Sequence, residues 1–350
     1  MQSNKINILV AASGTGGHLL PALYIVKELE KLNPNISVEF VGSGRYLEEK
    51  LIGSKGYKIN KIDIVGLNRR GIKGAIEFLL KLPKAIYSTC LVFKTFKPNF
   101  VIGVGGYISV LPLLVARLKK IPCLIHEAEK ELGLANKFLS YFANFITTAH
   151  GDLKIKSEIK VIHTGQPLNP KLFEINYSVR SDKKILLVLG GSLGANSIDQ
   201  LIIENLELIS KNNYEVIHQC RQENIENLKE YYKKQNIKAE VLSFIDNLPE
   251  LYQQSSLIIS RAGANTIREL EIVKRKAILI PLKKAKEQFD NATAFAQLGN
   301  AIVINVDAEL NNNFKNKFEN FISAEVKNIS YNITENPATK IARLVLKLYP

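Results

Sequence analysis

The 350-residue chain has no tryptophan, one methionine and three cysteines. Cys90, Cys123 and Cys220 are scattered, with no CxxC pair. That excludes a disulfide framework and a cysteine-built zinc site, and it fits a reducing compartment. Long apolar runs are also missing. The longest, Tyr107 to Leu118, is interrupted by Pro112 and Arg117, and a bilayer span needs about 20 residues. No signal peptide is visible, because the N-terminus runs almost at once into an apolar strand pattern. Any membrane is therefore expected to be met from one side only. No Asp-x-Asp metal motif occurs, so neither metal nor cofactor is expected. RNP1-like and zinc-finger patterns are absent as well, which argues against a nucleic-acid partner.

What is present is the composition of a soluble globular protein, long enough for two domains with full cores. The formal charge of +14 is unevenly placed: residues 1–165 hold 23 Lys and Arg against 12 Asp and Glu, and the rest hold 24 against 21. A basic first half suits anionic lipid or a phosphorylated substrate; a solvated lysine-rich surface is the plain alternative.

Apolar runs alternate with helical patterns, and the runs end in glycine. Asn7 to Ala11 leads into Ser13-Gly14-Thr15-Gly16-Gly17-His18, followed by Ala22, Ile25, Val26, Leu29 and Leu32 at helical spacing. Val38 to Gly42 ends in Gly-Ser-Gly, Phe100 to Ile102 in Gly103-Val104-Gly105-Gly106-Tyr107, and Cys123 to Ile125 in His126-Glu127. The second half repeats the theme. Lys184 to Leu189 leads into Gly190 to Ala195 and a helix carrying Leu201, Ile202 and Ile209; Tyr214 to His218, Ala239 to Leu242, Leu257 to Ser260 and Ala277 to Pro281 read as further strands. Polar turns at the carboxyl ends of parallel strands are where such sheets bind ligands. The expected class is therefore α/β, with two Rossmann-like domains of parallel strands facing a central cleft. Gly165 to Pro170 is a Gly/Pro-rich hinge, and Asn336-Pro337 precedes a last helix, Ala342 to Leu348.

Several ordered segments resemble the MurG family of glycosyltransferase family 28: GTGGH at 14–18, GVGGY at 103–107, HE at 126–127 with GLANK at 133–137, GGSLGA at 190–195, SRAGANT at 260–266 and Gln288-x-x-Asn291. The resemblance covers roughly residues 5 to 300. It implies a GT-B fold with an N-terminal acceptor and membrane-associated domain at 1–165, a C-terminal UDP-sugar domain at 166–335, and a final helix at 336–350 packing back on the first domain. It implies inverting transfer of N-acetylglucosamine from UDP-N-acetylglucosamine to the C4 hydroxyl of the muramyl sugar of lipid I. By similarity, Ser192 holds the diphosphate and Ile245 lies beside uracil. The segment Gly263, Ala264, Asn265, Thr266, Ile267 and Arg268 wraps the nucleotide, Glu269 takes the ribose, and Gln288 and Asn291 read the sugar. Thr15, Gly16 and Gly17, with Gly105, Gly106 and Tyr107, would hold the lipid-diphosphate acceptor. The implied location is peripheral, at the cytoplasmic face of the cell membrane, among other cell-wall enzymes.

The residue chemistry is compatible with that reading. The acceptor hydroxyl needs a base, and His18 can be neutral and basic near pH 7. Glu127 is the second candidate, or the partner that orients His18. Loop N–H groups and helix dipoles can meet charge developing on UDP. A structural His, and for Glu269 a solvated helix residue, are the plain alternatives. For the membrane, Leu79, Leu80, Leu82, Ile86, Leu91, Val92, Phe93 and Phe96 interleave with Arg70, Lys73, Lys81, Lys84 and Lys94. That suits an anionic interface, or else a core helix with a basic outside. The chain departs from the family pattern in three places. Ala128 and Glu129 stand for Gln and Asn, Gln166 and Asn169 fall in a hinge motif that usually reads Gly-Asn-Pro-Val-Arg, and Ser13 replaces a glycine. The alternatives are another GT-B transferase with a different lipid or glycan acceptor, a UDP-N-acetylglucosamine 2-epimerase, and a non-catalytic sugar-nucleotide binder.

Overall fold

The computed structural model describes residues 5–14, 16–64, 71–129, 131–151, 153, 155, 158–178, 183–191, 194–305, 312–325 and 335–349. The chain divides into two compact units, Met1–Pro170 with Glu335–Pro350, and Lys171–Thr334.

In the first unit the elements run β1 (Ile6–Ala11), α1 (Gly16–Leu32), β2 (Ile36–Gly42), α2 (Tyr46–Leu51), β3 (Lys58–Lys61), α3 (Gly71–Phe96), β4 (Phe100–Gly103), α4 (Val110–Leu118), β5 (Cys123–Glu127), α5 (Leu134–Leu139), β6 (Phe145–Thr148) and β7 (Lys160–His163). The sheet is parallel throughout, in the order β3-β2-β1-β4-β5-β6-β7. Its central strands are apolar on both faces because helices cover both. The order reverses between β1 and β4, so the turns that follow these two strands flank the switch point where such sheets open a crevice.

The second unit runs β8 (Ile185–Leu189), α6 (Asn196–Glu204), α7 (Leu206–Lys211), β9 (Glu215–Gln219), α8 (Ile225–Lys234), β10 (Ala239–Leu242), α9 (Leu248–Gln254), β11 (Leu257–Ser260), α10 (Ala264–Val273), β12 (Lys276–Leu279), α11 (Lys286–Gln297), β13 (Ala301–Val303) and α12 (Asn312–Ser323). Its parallel sheet has the order β10-β9-β8-β11-β12-β13, with the switch between β8 and β11. The single helix expected across Leu201 to Ile209 is two. Asn205 adopts φ −121°, ψ 21°, and its side-chain amide donates to the Leu201 carbonyl at 2.8 Å, closing α6.

The last helix, α13 (Pro337–Leu348), belongs to the first unit. Asn336 caps it through the Ala338 N–H at 2.9 Å, and proline at its first position needs no N–H partner. Ile341, Ala342 and Val345 are buried, and Thr339 donates to Glu28 of α1 at 2.6 Å.

Candidate functional site

In the first unit, His18 is the third residue of α1. Its ring lies against the Gly105 turn: a Cβ at Gly105 would sit 3.0 Å from Cε1 and 3.1 Å from Nδ1, and Gly105 has φ +85°. No other residue type fits both the space and the backbone. Ser109 locks that turn by donating to the Gly105 carbonyl at 2.9 Å and the Ala11 carbonyl at 3.1 Å. The turns after β1 and β4 thus close on one imidazole. Burial holds the His18 pKa below 6.5, against the charge of Glu127 and a hydrogen bond to the Val104 backbone, which pull the other way. A ring that donates one nitrogen to a carbonyl presents the other as an acceptor.

Glu127 ends β5, and three donors hold its carboxylate: the N–H of Glu129 at 3.1 Å, the N–H of Gly133 at 2.9 Å and Nδ2 of Asn136 at 3.0 Å. It is buried and acts on His18 through charge. Next to it in the strand, His126 is fully satisfied, with Nδ1 3.0 Å from Thr147 Oγ1 and Nε2 3.2 Å from Gln166 Oε1. Burial pushes its pKa down to about 4, with the neighbouring His18 adding to the effect, so it is neutral at pH 7. Tyr107 lies at the rim, its hydroxyl 3.4 Å from Arg45 Nη2.

In the second unit, the turns after β8, β11 and β12 emerge side by side, because those strands are neighbours. Gly194 has φ +69°, and a Cβ there would lie 2.6 Å from the Arg221 backbone nitrogen. Arg261 ties the three turns together. One nitrogen donates to Ser197 Oγ in the first turn of α6 at 2.6 Å, and another donates to the Ile280 and Pro281 carbonyls at 2.9 and 3.4 Å. Behind α6, Asp199 accepts from Asn224 at 2.7 Å and pairs with buried His218 at 3.2 Å. The amino ends of α6 and α10, which follow Ala195 and Gly263, leave their first N–H groups facing the carboxyl ends of the strands.

The carboxyl of Glu269 on α10 is buried and accepts from the Tyr252 hydroxyl at 2.8 Å. Burial pushes its pKa up to about 7. Ile267 points into the core, and Arg268 is engaged with Glu271 at 2.7 and 2.8 Å, so Ala264 to Arg268 offers its backbone first. Ile245 is half-buried in the turn after β10. On α11, Gln288 Oε1 accepts the Leu282 N–H at 3.1 Å, while Asn291 Nδ2 is buried without a hydrogen-bond partner. Ser260 Oγ, at the end of β11, is likewise buried and unpartnered.

The structure therefore gathers His18, Gly16, Gly17, Gly105, Gly106 and Glu127 around one switch point, and Gly263 to Glu269 with Gln288 and Asn291 on helices that follow neighbouring strands. Thr15 and Ser192 lie outside the described residues. Sequence reasoning missed Ser109, Gln166, Tyr252 and the bridging role of Arg261. Arg261 and Gln166 stand inside motifs already singled out, and that was the available signal. Tyr252 carried none. Of the apolar residues singled out between Arg69 and Lys97, Val92, Phe93 and Phe96 are core, whereas Leu79 and Leu80 are 64% and 77% exposed. Among the described residues no helix is long and apolar enough to cross a membrane.

Residues 8–148 match the family model of the glycosyltransferase family 28 N-terminal domain, and residues 185–347 match that of the C-terminal domain. The UDP-N-acetylglucosamine--N-acetylmuramyl-(pentapeptide) pyrophosphoryl-undecaprenol N-acetylglucosamine transferase of Flavobacterium psychrophilum is 33% identical, covering 98% of both chains. The protein of the same name from Thermodesulfovibrio yellowstonii is 33% identical, covering 87% of both. Among solved structures, Acinetobacter baumannii MurG superposes with a TM-score of 0.71 at 26% identity, covering 98% of this chain and all of the other.

Proposed function

The chain belongs to glycosyltransferase family 28, and from that premise we propose that it transfers N-acetylglucosamine from UDP-N-acetylglucosamine to lipid I, forming lipid II. Agreement in name and near-complete coverage with relatives that carry this activity supports the substrates. The observation that carries the chemistry is the imidazole of His18, kept neutral by burial and closed between two glycine turns.

The acceptor's C4 hydroxyl loses its proton to the free ring nitrogen of His18 as its oxygen attacks the anomeric carbon. The bond from that carbon to the diphosphate oxygen breaks, and UDP leaves with the electron pair. Attack from the face opposite UDP inverts the α-linked donor to a β1→4 product. Glu127 favours the imidazolium as it forms, through charge rather than contact. The helix N-termini at α6 and α10 meet the charge that grows on UDP. Glu269 takes the ribose. Asn291 Nδ2, a buried donor with no partner, suits an oxygen of the sugar.

Membrane contact at the cytoplasmic face belongs to the same reading. Leu79, Leu80, Ile86, Tyr87 and Leu91 of α3 are exposed beside Lys84, on a unit that carries most of the positive charge.

The test is UDP release and product mass with a short-chain lipid I analogue present and absent. Acceptor-dependent release, with a product one N-acetylhexosamine heavier, is expected. Conversion of the donor alone to its 2-epimer would refute the transfer reading in favour of an epimerase. Release only with another lipid or glycan would refute lipid I as acceptor.

A further inference from the structure

The surroundings of Glu269 point to a residue outside every motif. Its Oε2 is taken by the Tyr252 hydroxyl, donated from α9 across to α10 at 2.8 Å. Tyr252 is itself immobilised. Its ring is wholly buried, and its carbonyl accepts Nε of Arg275 at 3.2 Å while Gln253's carbonyl accepts Nη2 at 2.8 Å. The charged and titratable groups around the carboxyl are few. Tyr177 approaches from the segment before β8, with a buried hydroxyl that has no partner; burial first, then the charges of Glu250 and Glu269, push its pKa up. Glu250 of α9 is neutralised by Lys171 at 3.0 Å, and Arg275 follows α10. On α10 itself Arg268 and Glu271 pair with each other.

Resting on the reading that Glu269 takes the ribose, we propose that Tyr252 is a positioning residue for the donor: its hydroxyl fixes Oε2, turns the carboxylate and leaves Oε1 to the ribose diol. A ribose donates to the charged carboxylate far better than to the neutral acid. The Tyr252 hydrogen bond also favours the charged form, so it sets the pH at which the donor site becomes competent.

The experiment is calorimetric binding of UDP-N-acetylglucosamine, whose diphosphate diester does not titrate in the range used, across about pH 5.5 to 8.5. In the wild type the dissociation constant should fall about tenfold between about pH 6 and pH 8, as expected for one group titrating near 7. Tyr252→Phe should move that midpoint up by on the order of one pH unit. Binding would then be roughly fivefold weaker at about pH 7 and nearly restored at about pH 8.5. A purely structural role would weaken binding equally at every pH, and that result overturns the proposal. Glu269→Gln should abolish the midpoint and the preference for UDP-N-acetylglucosamine over its 2′-deoxyribose analogue. If Glu269→Gln keeps that preference, the assignment of the ribose to Glu269 falls and takes the proposal with it. If Glu269→Gln loses the preference but Tyr252→Phe leaves the midpoint in place, only the proposal falls.

Discussion

Glu269→Gln should make the second unit more stable while damaging it as an enzyme. In the folded protein the carboxyl titrates at about 7 against an ordinary value of 4.5. The sign follows from proton counting. Below both values the group is protonated folded or unfolded, and burial costs nothing extra. Between them the folded state holds a proton that the unfolded state has released, so stability falls as pH rises. Above about 7 both states are ionised and the full penalty stands. At about 1.4 kcal/mol per unit the shift corresponds to about 3 kcal/mol. Glutamine keeps the shape and still accepts from Tyr252, but its amide N–H groups need partners in a buried place, which offsets part of the gain. The expected outcome is a gain of roughly 2 kcal/mol at about pH 8 and close to none at about pH 4.5. Native-state hydrogen exchange in β8 and β11 reads the second unit separately from the first. Equal effects at both pH values, or destabilisation at the alkaline one, would refute the reasoning that burial of the Glu269 carboxyl raises its pKa at a cost in stability.

Three further outcomes test the first unit. Gly105→Ala should cost about 1–2 kcal/mol in stability through its left-handed backbone, and lower kcat roughly 100-fold by displacing the His18 ring; circular dichroism and steady-state kinetics separate the two, and an unchanged kcat would sink the assigned geometry. With donor saturating, kcat/KM for the acceptor should stay level as pH falls through 6.5 and drop only below it, because burial depresses the His18 pKa; His18→Ala should remove that acid limb together with most of the turnover. His126 titrates at about 4 folded against 6.5 unfolded, so the first unit should lose about 3 kcal/mol as pH falls from about 6.5 to 4, where the unfolded state binds the extra proton. In urea melts His126→Gln should flatten that slope.

The two sheets were legible because their central strands are unbroken apolar runs ending in glycine, as in Ile185–Leu189 and Phe100–Gly103. Four strands were not read from the sequence: Phe145–Thr148 is an inner strand of four residues ending in two threonines, and the other three are sheet edges. Lys58–Lys61 and Lys160–His163 are edge strands with lysines, and Ala301–Val303 is three residues long. Edge strands carry charge to discourage pairing with other chains, so they lose the apolar signature by which strands are read. The glycine turns and His18 were visible for the same reason as the strands that carry them. What no pattern could reveal is which polar side chain meets which. Tyr252 reads as one tyrosine in a short amphipathic helix, and only the fold brings it to a carboxyl 17 positions away. Ser109 reads as the start of a helix, yet its hydroxyl reaches the Ala11 carbonyl 98 positions away as well as that of Gly105.

The three departures from the family pattern acquire different weights once their neighbours are known. Ser13 is not idle. Its hydroxyl lies 2.9 Å from Ser43 Oγ, which donates to Glu48 at 2.7 Å, and Glu48 also accepts the N–H of Gly44 at 2.8 Å. A glycine there would leave that chain one member short, so the serine ties the turn after β1 to the turn after β2. Gln166 has a partner too, since its Oε1 accepts from the Nε2 of His126 and so fixes that ring in place, while burial keeps the ring neutral against the pull of this hydrogen bond. Glu129 gives its N–H to Oε1 of Glu127. All three departures fall in the first unit, whereas the turns that follow β8, β11 and β12 keep the family pattern intact. The departures therefore bear on the unit that carries His18 and its two glycine turns, and the segments singled out in the second unit carry none.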